Sequence, residues 1–148
     1  MAKKTAKKGQ VTALSSRDYQ LLAEFRYRLA RFLAFSENAA EDAGLAPRQH
    51  QALLAIKGFA GGGAVTVGDL AERLGVRHHS AVGLVDRLVA AGFVRRQADA
   101  HDRRKIILSL TAAGDKILAG LSAIHREELR RITPLLAPVL AQLGGAKD

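Results

Sequence analysis

The stretch TVGDLAERLGVRHHSAVGLVDRLVAAGFV, residues 66–94, decides the fold. Thr66 and Asp69 stand three residues apart, as in a capping box, where hydroxyl and carboxylate each accept a main-chain N–H at a helix start. A short helix is predicted from Val67 to Leu74, with Leu70, Ala71 and Leu74 turned inward. Gly75-Val76 makes a tight turn. A second helix runs from about His78 to Ala91, with Ala81, Val82, Val85, Leu88 and Val89 on its buried side, and Gly92 ends it. Two helices joined by a tight glycine-containing turn form a helix-turn-helix.

Outward from this stretch the pattern continues on both sides. Phe93-Val94 leads into a short strand ending near Gln97. A polar loop, Ala98 to Arg104, is followed by a strand from Lys105 to Leu110 with Ile106, Leu108 and Leu110 on one face. A hairpin directly after a helix-turn-helix is a wing. Thr111 caps a further helix to about Ile132, carrying Ile117, Leu121, Ile124 and Ile132. Pro134 opens a final short helix, which Pro138 kinks or restarts. Upstream, Val65 is placed to start a short strand, and Gly61-Gly62-Gly63 is a loop. Ser15 and Asp18 form a second box, opening a helix that runs uninterrupted to about Ala43 and stops at Gly44. Leu22, Phe25, Leu29 and Phe32 on it fall at a/d spacing, so this helix needs a surface to lie against. Pro47 takes the first position of the next helix, which carries Leu53, Leu54 and Ile56. The expected fold class is mainly α with a small β-hairpin wing: a winged helix-turn-helix plus a helical dimerisation region.

Charge points to the partner. The 148-residue chain carries 23 basic and 14 acidic side chains, a formal net charge of +9. Four Lys without an acid fill residues 1–10, and residues 77–105 hold seven basic side chains against three acidic ones. The rest is nearly balanced, so the excess sits in a tail and in the helix-turn-helix and wing. Such a patch is the electrostatic footprint of a polyanion partner. Cysteine is absent, which removes disulfides, thiolate metal sites and thiol redox switches. No apolar run is long enough to span a membrane, and no signal segment follows the N-terminal lysines, so a cytoplasmic location is expected. There is no His-Glu-x-x-His, no glycine-rich phosphate loop and no nucleophile elbow, so no enzyme, cofactor or metal is expected. His125 and Glu128 share a helical face, which alone is not a site.

The ordered set of segments resembles the MarR family of winged helix-turn-helix transcription regulators. It comprises Val67 to Val76, His79 to Leu88, Ala91-Gly92-Phe93-Val94, the wing Asp99-x-x-Asp102-Arg103-Arg104 and Leu108-x-Leu110-Thr111-x-x-Gly114. Helix order and spacing match over about residues 15–143. Ala46 departs from the pattern, standing where many relatives carry a Thr or Ser cap. The family's thiol-based peroxide sensing cannot carry over, because no cysteine is present. The resemblance implies a symmetric homodimer that binds double-stranded DNA at a near-palindromic operator, as a ligand-responsive repressor. On this reading residues 1–14 are a disordered basic tail and 15–148 a single domain. Its dimerisation helices are at about 15–43 and 111–143, and its winged helix-turn-helix at about 47–110.

The N-terminal end of the second helix of such a motif enters the major groove. That places Arg77, His78, His79, Ser80 and Gly83 against bases; Arg pairs with guanine O6 and N7, and Ser and His serve several bases. Gly83 either allows close approach to DNA or packs against another helix. His78 and His79 are otherwise a solvated pair, since neighbours on a helix point apart and no third metal ligand is spaced to join them. Arg103 and Arg104 sit at the wing, where the resemblance implies an Arg in the minor groove and a bracing role for Asp102. The alternative is a hairpin in which Asp99 and Asp102 neutralise both. Arg87 reaches a phosphate or an ion pair around Asp86. Arg95 and Arg96 alternate on a strand, so at most one faces DNA.

The resemblance also implies a small aromatic or phenolic anion bound between dimerisation region and winged domain. Phe25, Arg26, Phe32 and His50 are the residues offered for it, amid Tyr19, Tyr27, Phe35, Arg28 and Arg31; ordinary dimer-interface packing is the favoured reading for most of these aromatics. Two other classes of function remain open: an architectural DNA-coating protein without ligand control, and a protein-interaction module built on the long helices.

Overall fold

The computed structural model describes residues 13–59 and 63–145. The predicted basic tail lies outside the described residues except for Ala13 and Leu14, and of the glycine loop only Gly63 is described. Five helices and one hairpin follow in the order α1 (Ser16–Asp42), α2 (Pro47–Lys57), α3 (Val67–Leu74), α4 (His78–Ala90), β1 (Val94–Ala98), β2 (Ile106–Leu110) and α5 (Ala112–Leu143).

The helix starts are fixed by local chemistry. At α1 the Asp18 carboxylate accepts the Ser15 N–H at 2.7 Å while Ser15 Oγ accepts the Asp18 N–H at 3.2 Å. At α3, Thr66 and Asp69 repeat the arrangement at 2.9 and 3.1 Å. The main-chain bonds from Ser15 and Thr66 hold both carboxyl groups below their ordinary range. Ala46 has no side-chain cap to offer α2, but Gln49 Oε1 accepts its N–H at 2.8 Å, so half of a box survives. Gly75 ends α3 at φ 63°, a left-handed conformation that favours glycine. The Val76 N–H then reaches back to the Ala71 carbonyl at 3.0 Å, closing the turn into α4.

One core binds the winged segment to the ends of the long helices. Leu53 and Ile56 of α2, Leu70 of α3, Leu84, Val85 and Leu88 of α4, and Val94, Leu108 and Leu110 of the hairpin are buried together. Ala40 of α1 and Leu118 and Leu121 of α5 join them. Beyond this core α1 and α5 lie side by side, with Leu21, Ile132 and Val139 buried and Arg17 donating to Gln142 Oε1 at 3.0 Å. The strands β1 and β2 are antiparallel, with Arg96 opposite Leu108 at the centre.

Four sequence expectations change. The break at Pro134 is absent: α5 runs from Ala112 to Leu143 with Pro134 and Pro138 inside it. Each proline removes one main-chain donor, but both prolines and Arg130 are exposed, so water can satisfy the freed carbonyls while Ile132 and Val139 keep packing. The strand at Val65 shrinks to a single bridge to Leu108, whose N–H meets the Val65 carbonyl at 2.7 Å. Leu54, Ile106 and Ile124 are exposed rather than inward, whereas Leu84 and Leu118 fill the core. Leu84 lies one turn before Leu88, on the side of α4 that faces α2 and the hairpin.

Candidate nucleic-acid interface

Arg77 occupies the N-cap of α4 without a side-chain capping bond, and His78, His79 and Ser80 form its exposed first turn. No ion pair or side-chain hydrogen bond among the described residues engages any of the four. The first N–H groups of a helix lack intrahelical partners and carry the positive end of its dipole, which suits a phosphate or an acceptor on a base edge. Gly83 follows on the same helix. A Cβ built there would meet nothing closer than the Arg87 guanidinium at 4.0 Å, so helix packing does not require glycine at this position.

The arginines divide into held and open ones. Asp86 binds Arg96, the partner left open by the sequence. Arg95 lies along the hairpin, with Nε donating to Ser109 Oγ at 3.3 Å and a terminal nitrogen to the Leu110 carbonyl at 3.4 Å. Both strand arginines are therefore engaged within the protein. Arg87 makes no ion pair among the described residues and stays exposed next to Gly83.

The wing turn is organised by its acids. Asp99 accepts the His101 N–H at 3.1 Å, and Asp102 accepts the Arg104 N–H at 3.1 Å and its Nε at 3.3 Å. The Asp99 N–H donates to the Lys105 carbonyl at 2.8 Å and closes the loop. Asp102 thus braces the backbone and orients Arg104, whose side chain is still 94% exposed. Arg103 is exposed and enters no ion pair among the described residues. The mutual neutralisation weighed for Asp99, Asp102 and the two arginines is only half realised, since Asp99 is spent on the main chain.

The four residues offered for a small anion do not meet at one place. Phe32 and His50 converge on His125: the Phe32 ring stands edge-on at 6.1 Å and the His50 ring lies tilted at 4.7 Å. Arg26 is exposed, and Phe25 sits two turns before Phe32 on α1. A separate, mostly apolar cavity of about 720 Å³ opens between the C-terminal half of α1 and the N-terminal half of α5. Phe35, Ala39, Ile117 and Ile124 line it with the opposite charges Lys116 and Asp42, and none of the four offered residues does. Sequence reasoning paired His125 only with Glu128 and set it aside, because its long-range partners cannot be read from spacing; Ser36 Oγ meets its Nε2 at 2.7 Å, 89 residues away.

A helix-turn-helix followed by a hairpin with an open, basic reading edge defines a winged helix-turn-helix protein. The MarR family model matches residues 43–105, from the end of α1 through the wing. The chain is 38% identical over 76 residues to the uncharacterized HTH-type transcriptional regulator YfiV of Bacillus subtilis (strain 168), covering 51% of this chain and 48% of that protein. It is 34% identical over 97 residues to the HTH-type transcriptional repressor MdtR of the same organism, covering 63% and 61%. The matches thus span about half to three fifths of these relatives. Among solved structures, a mutant of S. aureus MepR bound to an oligodeoxyribonucleotide superposes with a TM-score of 0.67 at 17% identity, over 90% of this chain and 100% of that one. The family match thus lies in the winged segment, residues 43–105, and the solved structure shares the fold of the whole described chain.

Proposed function

We propose that the protein is a transcription regulator that binds double-stranded DNA as a homodimer on a near-palindromic site. The observation that carries this reading is the exposed basic set: Arg77, His78, His79, Ser80 and Arg87 on α4 and Arg103 on the wing make no side-chain bond among the described residues, and Arg104 beside them is braced by Asp102 yet 94% exposed. Exposed positive side chains that the protein leaves largely unneutralised suit a phosphate-lined groove. Arg77 and Ser80 read bases, Gly83 lets the backbone approach, and Arg104 enters the adjacent minor groove. The helical region of α1 and α5 supplies the dimer contact, and residues 47–110 the DNA contact.

The named repressor among the relatives favours repression. The apolar cavity between α1 and α5, lined by Phe35 and Ile117 with Lys116 and Asp42, suits a small aromatic molecule better than the exposed Arg26 does, with Lys116 the group to meet an acid on it. A regulator of transcription works beside the DNA, in the cytoplasm, and its role is binding rather than catalysis. No helix of the described residues is long and apolar enough to cross a membrane.

Selection of random DNA on the purified protein tests the reading. A two-fold dimer returns a near-palindrome with half-sites about 10 base pairs, or a multiple of that, between centres. Repetition with a panel of aromatic acids tests the ligand. Equal affinity for all DNA overturns the reading in favour of an architectural protein, and no DNA binding at all in favour of a protein-interaction module.

A further inference from the structure

His50 is the one buried polar or charged residue among those described, 4% exposed, and it belongs to α2, the first helix of the winged segment. Its ring packs against that of His125 on α5, with centroids 4.7 Å apart and planes 36° apart. Phe32 and Phe35 of α1 close over His125 edge-on, at 6.1 and 5.8 Å. Three helices therefore meet at two imidazoles, where the winged segment joins the long α1–α5 pair.

The two rings are not equivalent. His125 Nδ1 lies 2.6 Å from the Leu121 carbonyl, which only accepts, so Nδ1 carries a proton. Its Nε2 lies 2.7 Å from Ser36 Oγ, a hydroxyl that donates to the neutral ring and accepts from the charged one. A proton on His125 thus has a partner at each nitrogen. The hydrogen bonds of the cluster all run to His125, and the His50 ring, 4% exposed, has no side-chain hydrogen bond among the described residues.

No acid among the described residues forms an ion pair with either ring. From α5 the group facing His50 is His125, against which Ser36 and the two phenyl rings of α1 are packed. On α3 Asp69 is held by Thr66, and Glu72 and Arg73 are exposed; on α4 Asp86 is held by Arg96, and Arg87 is exposed. Strand β2 carries no charged residue. Along α1 and α5 the acids Glu24, Asp115, Glu127 and Glu128 are bound to Arg28, Lys57, Arg130 and Arg131, Asp18 is held by Ser15, and Glu37, Glu41 and Asp42 are exposed. On α2 itself Arg48 is exposed and donates to Gln51 and the Leu74 carbonyl, and Lys57 is spent on Asp115.

We propose that His50 and His125 form a proton-operated joint: protonation of both rings drives them apart and loosens α2, and with it the winged segment, from α1 and α5. Burial, and secondarily the charge of His125, push the His50 imidazole below its ordinary range. The unfolded chain then takes up its proton at a higher pH than the folded one. The stability contributed at this joint is complete above about pH 6.5, the ordinary histidine value, and is lost as pH falls below it. The joint is a property of one chain and is measured without DNA, so its failure is separate from any failure of the DNA-binding reading. His78, His79 and His101 are exposed and outside the cluster, so variants at His50 and His125 isolate it.

The experiment is amide hydrogen exchange on the intact protein, corrected for intrinsic rates, at about pH 7.5 and about pH 5.5, a range that spans histidine titration. The wild type is expected to lose protection in α2 and around residues 118–128 at the lower pH, while the core of α4 keeps its own. His50→Leu, close to histidine in volume, is expected to show the same protection at both pH values. His125→Gln, which can still meet Ser36, is expected to reduce the wild-type loss, and it decides the matter if His50→Leu does not fold. NMR titration of the wild type gives a second reading: the His50 ring should titrate below the ordinary histidine value. Equal protection in the wild type at both pH values, or a pH-dependent loss that persists unchanged in the folded variants, overturns the proposal.

Discussion

The carbonyl oxygen of Phe93 lies 2.1 Å from where a Cβ on Gly114 would stand, and backbone cannot swing aside as a flexible side chain does. The approach is set by Thr111, whose N–H bonds the same carbonyl at 3.0 Å and whose Oγ donates to the Gly92 carbonyl at 2.6 Å. These contacts tie the start of α5 to the end of α4. Gly114→Ala is therefore expected to destabilise the protein by about 1–3 kcal/mol or more, read as a lower urea midpoint. Gly83→Ala is the counterpart, because nothing stands within 4 Å except the Arg87 guanidinium. It should stabilise α4 by up to about 1 kcal/mol. If Gly83 serves close approach to DNA, the same variant weakens binding, and unchanged affinity would remove it from the interface. Arg104 is oriented by Asp102 yet almost wholly exposed. Arg104→Ala should lower affinity for all DNA and reduce the slope of log affinity against log salt by about one, as loss of one phosphate contact requires. An unchanged slope would leave Arg104 as a brace of the wing.

Elements whose ends are decided locally were legible from the sequence. Ser15 with Asp18 and Thr66 with Asp69 announce α1 and α3 because both partners of each bond lie within one helical turn. Thr66→Ala removes the hydroxyl that accepts the Asp69 N–H, and should lower stability by about 1 kcal/mol in chemical denaturation. A loss much below that would mean that the Asp69 carboxylate alone holds the helix start. The course of α5 was not legible, since a proline inside a helix is tolerated only where water reaches the freed carbonyl and a neighbour still packs. Both conditions depend on α1, about a hundred residues earlier in the chain. The candidate site divides in the same way. The open residues of α4 could be read from helix phase and motif. The engagement of Arg96 by Asp86 and the meeting of His50 with His125 depend on tertiary placement, which periodicity does not report.

At the scale of the whole molecule, α1 keeps an apolar stripe that the other described residues do not cover. Leu22, Leu29 and Leu33 are 45%, 37% and 50% exposed, and their spacing of seven and four residues puts them on one side of the helix. Phe25 and Phe32 lie at a neighbouring phase and are half-buried. Contiguous exposed leucines on a rigid helix mark an association surface, and two copies related by a two-fold axis would cover each other's stripe with the same residues. The pair Leu29→Glu and Leu33→Glu puts like charges face to face across such an axis while leaving the winged core around Leu53 and Leu88 untouched. Light scattering should then report half the wild-type mass with an unchanged helical circular dichroism spectrum. Binding to a palindromic site should fall by roughly a hundredfold or more, because the second half-site no longer gains from tethering. Binding to a single half-site should change little. A dimer that survives both charges would move the interface off this stripe and onto the α5 face around Leu129, Leu135 and Leu140, where the next pair of substitutions belongs.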